Sequence, residues 1–236
     1  MSEQFVLDVY CCEGGATRGY QLAGHRTIGI DIAEQPKYIG SGFHQGDALD
    51  RLRTLVHGAG IEFTMFGEAP RRITRRDIKF VHYSPPCQAA NPLTTGTNAG
   101  LYEHPQLIPE TRELAVALGI PFVIENTAGA PIRRDLTLNG DMFTLGVWRP
   151  RYFEFGNGFS CPQPDGPRKP SRGRVRGWRH GEFFDGPYVA VYGKGGGKAS
   201  IPEAQEAMGI DWTDNWTSLT EAIPPAYTEY IGRYVK

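Results

Sequence analysis

Cysteine is scarce in this chain. Of 236 residues, four are Cys: Cys11, Cys12, Cys87 and Cys161. Two of them are adjacent, and no CxxC pair is matched by a second one. That pattern argues against a disulfide framework and against a zinc site, and no metal is expected. An excess of one charge sign is missing too. Twenty-five Lys and Arg face 26 Asp and Glu, leaving a net charge of −1. Any nucleic-acid surface must therefore be local rather than a global basic field. No apolar run approaches the length of a membrane span, so no membrane contact is expected. The opening MSEQFVLDVY lacks the basic and apolar regions of a signal peptide. The expectation is a cytoplasmic monomer in a reducing compartment, where a free thiol stays a thiol.

Glycine and proline are plentiful, at 30 and 18 residues, which predicts many loops. The length suits one full α/β domain with a small appendage. Short apolar runs at residues 4–10, 27–32, 80–83 and 121–125 read as buried strands. Residues 17–23 and 110–118 read as helices, the second closed by Gly119. Strands alternating with helices predict a parallel sheet. From residue 156 the texture changes to Gly, Pro and Arg. Residues 188–192 (YVAVY) read as one more strand, and 202–208 and 225–234 as helices with proline at their first turns. Two basic clusters stand out. Arg71, Arg72, Arg75, Arg76 and Lys79 read best as solvated surface. Arg168, Lys169, Arg172, Arg174, Arg176 and Arg179 lie among glycines with Trp178, a composition suited to following a phosphate backbone and stacking a base.

The first strand runs into Asp8-Val9-Tyr10-Cys11-Cys12-Glu13-Gly14-Gly15. A glycine turn between first strand and first helix lets a cofactor approach the backbone. The second strand ends at Asp31, placed to hydrogen-bond ribose hydroxyls, and Asp47 follows where a third strand would end. A surface turn with a helix-capping Asp, or a dinucleotide site, fits parts of this pattern. The turn lacks GxGxxG, however, so no helix N-terminus is clearly offered to a pyrophosphate. S-adenosyl-L-methionine carries no phosphate, which favours it.

Ser84-Pro85-Pro86-Cys87-Gln88 follows the strand at 80–83. Two prolines stiffen a loop at a strand's carboxyl end, where open α/β sheets place their chemistry. Cys87 reads equally as a small core residue or as a nucleophile. Glu125 ends another buried strand. A carboxyl in an apolar pocket holds its proton at neutral pH, so Glu125 is a candidate acid.

Taken in order, the segments DVYCCEGGA, GIDI, GDAL, SPPCQ, IENTAGAP, Arg149-Pro150-Arg151, IPEAQEAMGIDW and EAIPPAYTEYIG resemble the DNA (cytosine-5) methyltransferases. In particular the chain resembles the compact versions encoded by bacteriophages, which would place it in the host cytoplasm. The resemblance implies a Rossmann-like S-adenosylmethionine-dependent methyltransferase fold with a small loop-rich recognition insert. Residues 1–155 would form the catalytic cofactor-binding domain, and 156–200 a short basic target-recognition insert. Residues 201–236 would return to the catalytic domain. Cys87 would attack C6 of a flipped-out cytosine, Glu125 would bond N3 and the exocyclic amine, and Arg151 would contact O2 with Arg149 helping to shape the pocket. Tyr10, Cys11, Glu13, Gly14, Gly15, Asp31, Ile32, Asp47, Ala48 and Pro85 would line the cofactor site. Gln88, Arg172, Arg174, Arg176 and Trp178 would hold double-stranded DNA. Two other outcomes fit the same residues: a transferase using a modified donor such as a carboxylated S-adenosylmethionine, and a catalytically silent DNA-binding homologue.

Overall fold

The segments that read as continuous apolar runs occupy the middle of one large sheet. The structure, a computed structural model, describes residues 3–86, 106–166, 175–179, 182–193 and 199–236. Strands β1 (Phe5–Val9), β2 (Thr27–Asp31), β6 (Ile78–Tyr83) and β7 (Phe122–Asn126) are buried at every position except Lys79. Burial on both faces is what a parallel sheet covered on both sides demands. With β3 (Gly42–Gln45) they form the parallel set β3-β2-β1-β6-β7. Antiparallel strands extend both edges. These are β4 (Ile61–Met65) and β5 (Arg71–Ile73) beyond β3, and β9 (Arg151–Gly156) and β8 (Leu136–Leu138) beyond β7.

Alternation of side chains across each strand sorts the core into two layers. Phe5, Leu7, Val9, Val81, Tyr83, Phe122 and Ile124 pack with α2 (Ala48–Val56) and α3 (Leu107–Leu118). Val6, Phe80 and Val123 face the other way, against α1 (Gly15–Leu22) and α6 (Pro225–Gly232). Asp8, His82 and Glu125 share this second face by the same alternation. α1 and α6 touch backbone to backbone. A Cβ at Gly19 would stand 2.1 Å from the Pro225 carbonyl oxygen, and Thr228 Oγ1 donates to the Ala16 carbonyl at 2.8 Å. A third apolar cluster joins Val147 and Val191 to α4 (Ile201–Met208) and α5 (Trp216–Glu221).

Residues 188–192 do not form the strand their pattern predicts. Tyr188 makes one isolated bridge to Val175, and the Val189 N–H goes to the Gly146 carbonyl at 2.7 Å. Val191 is buried in the third cluster, so side-chain packing against α4 and α5, not a ladder, holds this segment in place. Between it and β9 lies a short antiparallel hairpin, β10 (Gly177–Arg179) with β11 (Glu182–Phe184). The cluster of Arg71, Arg72, Arg75, Arg76 and Lys79 lies along the stretch of chain that runs from β5 into the start of β6. Arg71 there pairs with Glu3 at 3.1 Å.

Glu154 in β9 is wholly buried yet charged. Arg112 of α3 grips it with two nitrogens, at 2.7 and 2.9 Å, and the Arg133 backbone N–H adds a third bond at 2.9 Å. Burial alone would push this carboxyl up, but those hydrogen bonds hold it below the usual carboxylate range. Arg133 Nη1 also pairs with Glu154 at 3.0 Å, so removing Arg112 takes away two charge-assisted bonds without leaving the carboxylate alone. Arg112→Ala should therefore lower stability by about 2 kcal/mol in urea unfolding; a loss below about 0.5 kcal/mol would show that Glu154 does not depend on α3.

Candidate active site

The chain runs outward from β1 through β2 to β3, then returns to lay β6 and β7 on the other side of β1. Ligands in open α/β sheets bind at the carboxyl ends of strands flanking such a reversal. Here those ends carry the glycine turn after β1, Asp31 at the end of β2, Ser84-Pro85-Pro86 after β6, and Glu125-Asn126 at the end of β7.

The turn after β1 is strained. Tyr10 and Cys12 adopt left-handed backbone at φ 63° and 45°, and Gly14 follows at 94°. A left-handed non-glycine residue costs about 1–3 kcal/mol and persists only when its surroundings enforce it. Asp31 does much of the enforcing: Oδ2 accepts the Cys12 N–H at 2.9 Å and Oδ1 the Ala33 N–H at 3.0 Å. Each oxygen keeps a further acceptor position, which suits a ribose hydroxyl. Trp212 Nε1 donates to the Glu13 carbonyl at 3.0 Å, and a Cβ at Gly15 would stand 2.6 Å from the Ile223 carbonyl oxygen. The carboxyl-terminal segment thus lies directly against the turn. Beneath it, Asp8 is buried, and its Oδ2 accepts the Thr17 N–H at 3.1 Å and the Thr17 hydroxyl at 2.7 Å. Thr17 in turn accepts from the Tyr38 hydroxyl at 2.9 Å.

At the end of β7, Glu125 is buried and pushed above the usual carboxylate range by burial, against the opposing pull of Arg151 and Arg149. The antiparallel register sets Glu125 opposite Phe153, so Arg151, two residues along, lies diagonally on the same face. Its Nε is 2.8 Å from Glu125 Oε1. The N–H is not aligned on that oxygen, which keeps its hydrogen-bonding capacity. Next to it, Asn126 Nδ2 donates to the Pro85 carbonyl at 2.9 Å. This bond ties the end of β7 to the buried proline of the loop that leads into position 87. Cys87 and Gln88 themselves lie outside the described residues.

The remaining candidates are placed as follows. Ile32 is 70% exposed beside Asp31, an apolar surface at the mouth of the turn. Cys11 is buried and burial pushes its thiol well up. The Tyr10 hydroxyl bonds Thr111 Oγ1 at 2.9 Å. Asp47 caps α2, accepting the Asp50 N–H at 2.9 Å, and Ala48 is packed in the core. Arg149 is buried and spent on main-chain carbonyls: Val191 at 2.9 Å, Ala222 at 3.1 Å, and Thr220. It orients the segment that returns to the turn. Arg172 and Arg174 lie outside the described residues. The Trp178 backbone belongs to β10, and Arg176 pairs with Glu203. A cavity of about 270 Å³ opens at Arg151, the ion-pair partner of Glu125, bounded by Thr127, Trp148, Val175 and Tyr192 among others.

Asp8, Asn126 and Trp212 were not singled out as site residues on sequence grounds. The signals were present. Asp8 is a carboxylate inside a run of apolar strand residues, and Asn126 directly follows a buried acid. Trp212 ends a segment whose partner is 199 residues away, which no local pattern can supply.

No family model matches the chain, and no curated protein matches it. Among solved structures it is similar to the Dnmt2 methyltransferase of S. pombe, with a TM-score of 0.54 and 12% sequence identity, over 97% of this chain and 96% of that one. The fold is that of the Rossmann-like methyltransferases. A second solved structure, assigned as a DNA modification methyltransferase encoded within an E. coli prophage, matches with a TM-score of 0.40 and 16% identity. That match covers 64% of this chain, which spans 45% of the other's length.

Asp8 has a measurable consequence for stability. Burial pushes its carboxyl up to about 7, with Asp31 and Glu125 adding to the shift and the bonds from Thr17 opposing it. A raised folded pKa means that the folded chain holds a proton the unfolded chain has already lost. Stability therefore falls as pH climbs from about 4 to about 7. Asp8→Asn keeps the acceptor for Thr17 and removes the titration. Relative to wild type it should gain about 2–3 kcal/mol between pH 5 and pH 8 in urea unfolding. Parallel pH profiles for the two proteins would sink this assignment.

Proposed function

We propose that the protein is a DNA (cytosine-5) methyltransferase in which Cys87 is the nucleophile and Glu125 the acid. The observation that carries this reading is the bond from Asn126 to Pro85. It holds the loop leading into Cys87 against the end of the strand whose last acid is buried and keeps a proton easily.

C5 of cytosine is a poor nucleophile. Addition of the Cys87 thiolate to C6 moves the electron pair of the 5,6 double bond onto C5. Glu125, donating a hydrogen bond to N3, stabilises the charge that this addition spreads into the ring. Arg151, beside Glu125, supplies a donor for the base carbonyl. When bound, S-adenosyl-L-methionine supplies the electrophilic methyl group. Asp31 and exposed Ile32 are the residues suited to hold it, as an acceptor for ribose and an apolar surface for a ring, beside a Gly14-Gly15 turn that is itself packed against Tyr38, Ile39 and Ile223. Loss of the C5 proton then expels the thiolate and restores the double bond. A base inside a duplex is closed to attack at C6, so the substrate must be flipped out. Gln88, Arg172, Arg174, Arg176 and Trp178 are proposed to hold the opened duplex, with residues 156–200 as the recognition insert. Arg176 would exchange Glu203 for a phosphate.

The decisive test is trapping on duplex DNA containing 5-fluorocytosine with S-adenosyl-L-methionine present. Wild type should form a denaturation-resistant adduct and Cys87→Ala none; an adduct that survives this substitution would defeat the assignment. Mass spectrometry of ordinary treated DNA should show a gain of about 14 Da per modified cytosine, and a larger gain would point to a modified donor. Replacing Arg172 and Arg174 together by Ala should make the slope of log affinity against log salt shallower by about 0.9 for each lost phosphate contact. An unchanged slope would remove the insert from the DNA surface.

A further inference from the structure

His82 is a group the chemistry above leaves unused, a wholly buried histidine in the strand that leads to the proline loop. Its two ring nitrogens have different partners. Nδ1 is 2.9 Å from the Tyr20 hydroxyl on α1, and Nε2 is 2.8 Å from Ser84 Oγ, the residue immediately before Pro85-Pro86. The Tyr20 and His82 rings also meet edge to face at 5.6 Å. One chain of hydrogen bonds thus runs from the helix behind the glycine turn, along one face of the sheet, to the loop that precedes Cys87.

The direction of the protons in this chain follows from satisfaction of buried donors. Burial holds the imidazole neutral, pushing it down to about 3, so one ring nitrogen carries hydrogen and the other accepts. Tyr20 is wholly buried, and among the described residues its hydroxyl has no hydrogen-bond partner other than Nδ1. A hydrogen on Nδ1 would leave the tyrosine O–H a stranded buried donor, which is strongly disfavoured. The tyrosine therefore donates to Nδ1 and the ring hydrogen sits on Nε2. Nε2–H donates to Ser84 Oγ, which occupies an acceptor position of that oxygen and leaves its own hydrogen directed elsewhere. Ser84 is only part-buried, and its backbone N–H is anchored to the Val9 carbonyl at 3.1 Å.

We infer that Tyr20 and His82 are positioning residues that set the Ser84 hydroxyl as a one-way hydrogen-bond donor toward an acceptor oxygen of the nucleotide substrate. The proton order rests on geometry alone; the substrate half rests on the proposed function. A fixed donor on a stiff loop needs no reorganisation when the substrate arrives.

Two measurements test this. Long-range proton–nitrogen correlation on the whole protein should show His82 as the Nε2–H form throughout pH 6–8. A hydrogen on Nδ1, or a charged ring, would overturn the proposal. In the fluorocytosine assay, Ser84→Ala should trap about five- to ten-fold more slowly than wild type, with cofactor affinity unchanged and the melting temperature lowered, because the buried His82 Nε2–H loses its acceptor. Ser84→Thr, which keeps the hydroxyl, should recover most of the rate. A merely structural serine would lower the melting temperature alone, so Ser84→Ala trapping at the wild-type rate would overturn the proposal. If wild type forms no adduct at all, the reading of function fails with the substrate half of this one, and the His82 measurement decides the proton order by itself.

Discussion

Asn126 Nδ2 and the Pro85 carbonyl meet at 2.9 Å between two strand ends that are 41 residues apart in the chain. Proline has no N–H, and two in succession give the loop after β6 a nearly fixed course. One well-placed hydrogen bond is then enough to set where that loop stands relative to β7. Everything proposed for the site depends on this alignment, because it brings the approach to position 87 beside Glu125. The same device recurs at the other side of β1. There Asp31 accepts the Cys12 N–H across from β2, and Asp8 accepts from Thr17 at the start of α1. In each case a polar side chain at or near a strand's carboxyl end captures a backbone group of a neighbouring turn.

Electrostatics divides the site. Asp8, Asp31 and Glu125 lie close enough for the two others to raise the carboxyl of Asp8, so the turn after β1 is acidic ground. On the far side of Glu125, Arg149 and Arg151 oppose the effect of burial. In the proposed reaction the acidic half would suit a cationic donor, and Arg151 in the other half the carbonyl edge of a pyrimidine. Arg149 contributes through architecture. Its bonds to three main-chain carbonyls tie the start of β9 to the segment that packs against Gly15, so the two halves are built from one connected frame.

The central strands were legible because burial on both faces forces continuous apolar sequence, as in Phe5-Val6-Leu7 and Phe122-Val123-Ile124. Helix ends were legible where the chemistry is local: Gly119 closes α3 at φ 70°. The outer strands were harder to read. β3, inside the sheet, was marked only by the acid Asp47 that follows it, because Gly-Phe-His-Gln has too few apolar residues to stand out, and the edge strands β5 and β8 are three residues each. Residues 188–192 misled in the opposite direction, because their apolar pattern serves side-chain packing and their backbone finds loop partners instead of a ladder. Asp47 shows a subtler divergence. Its position after β3 is compatible with a cofactor contact, while its side chain caps α2.

The sequence by itself determined the α/β alternation, the turn chemistry around Gly14-Gly15, the stiffness of Ser84-Pro85-Pro86 and the presence of an acid at the end of an apolar strand. These are consequences of composition and short-range spacing. Tertiary structure alone decided the antiparallel edges, the pairing of Glu125 with Arg151, the commitment of Arg149 to carbonyls of the returning segment and the chain from Tyr20 through His82 to Ser84. Each of those joins residues distant in sequence, and their meeting is settled by strand order and register, which no local pattern encodes.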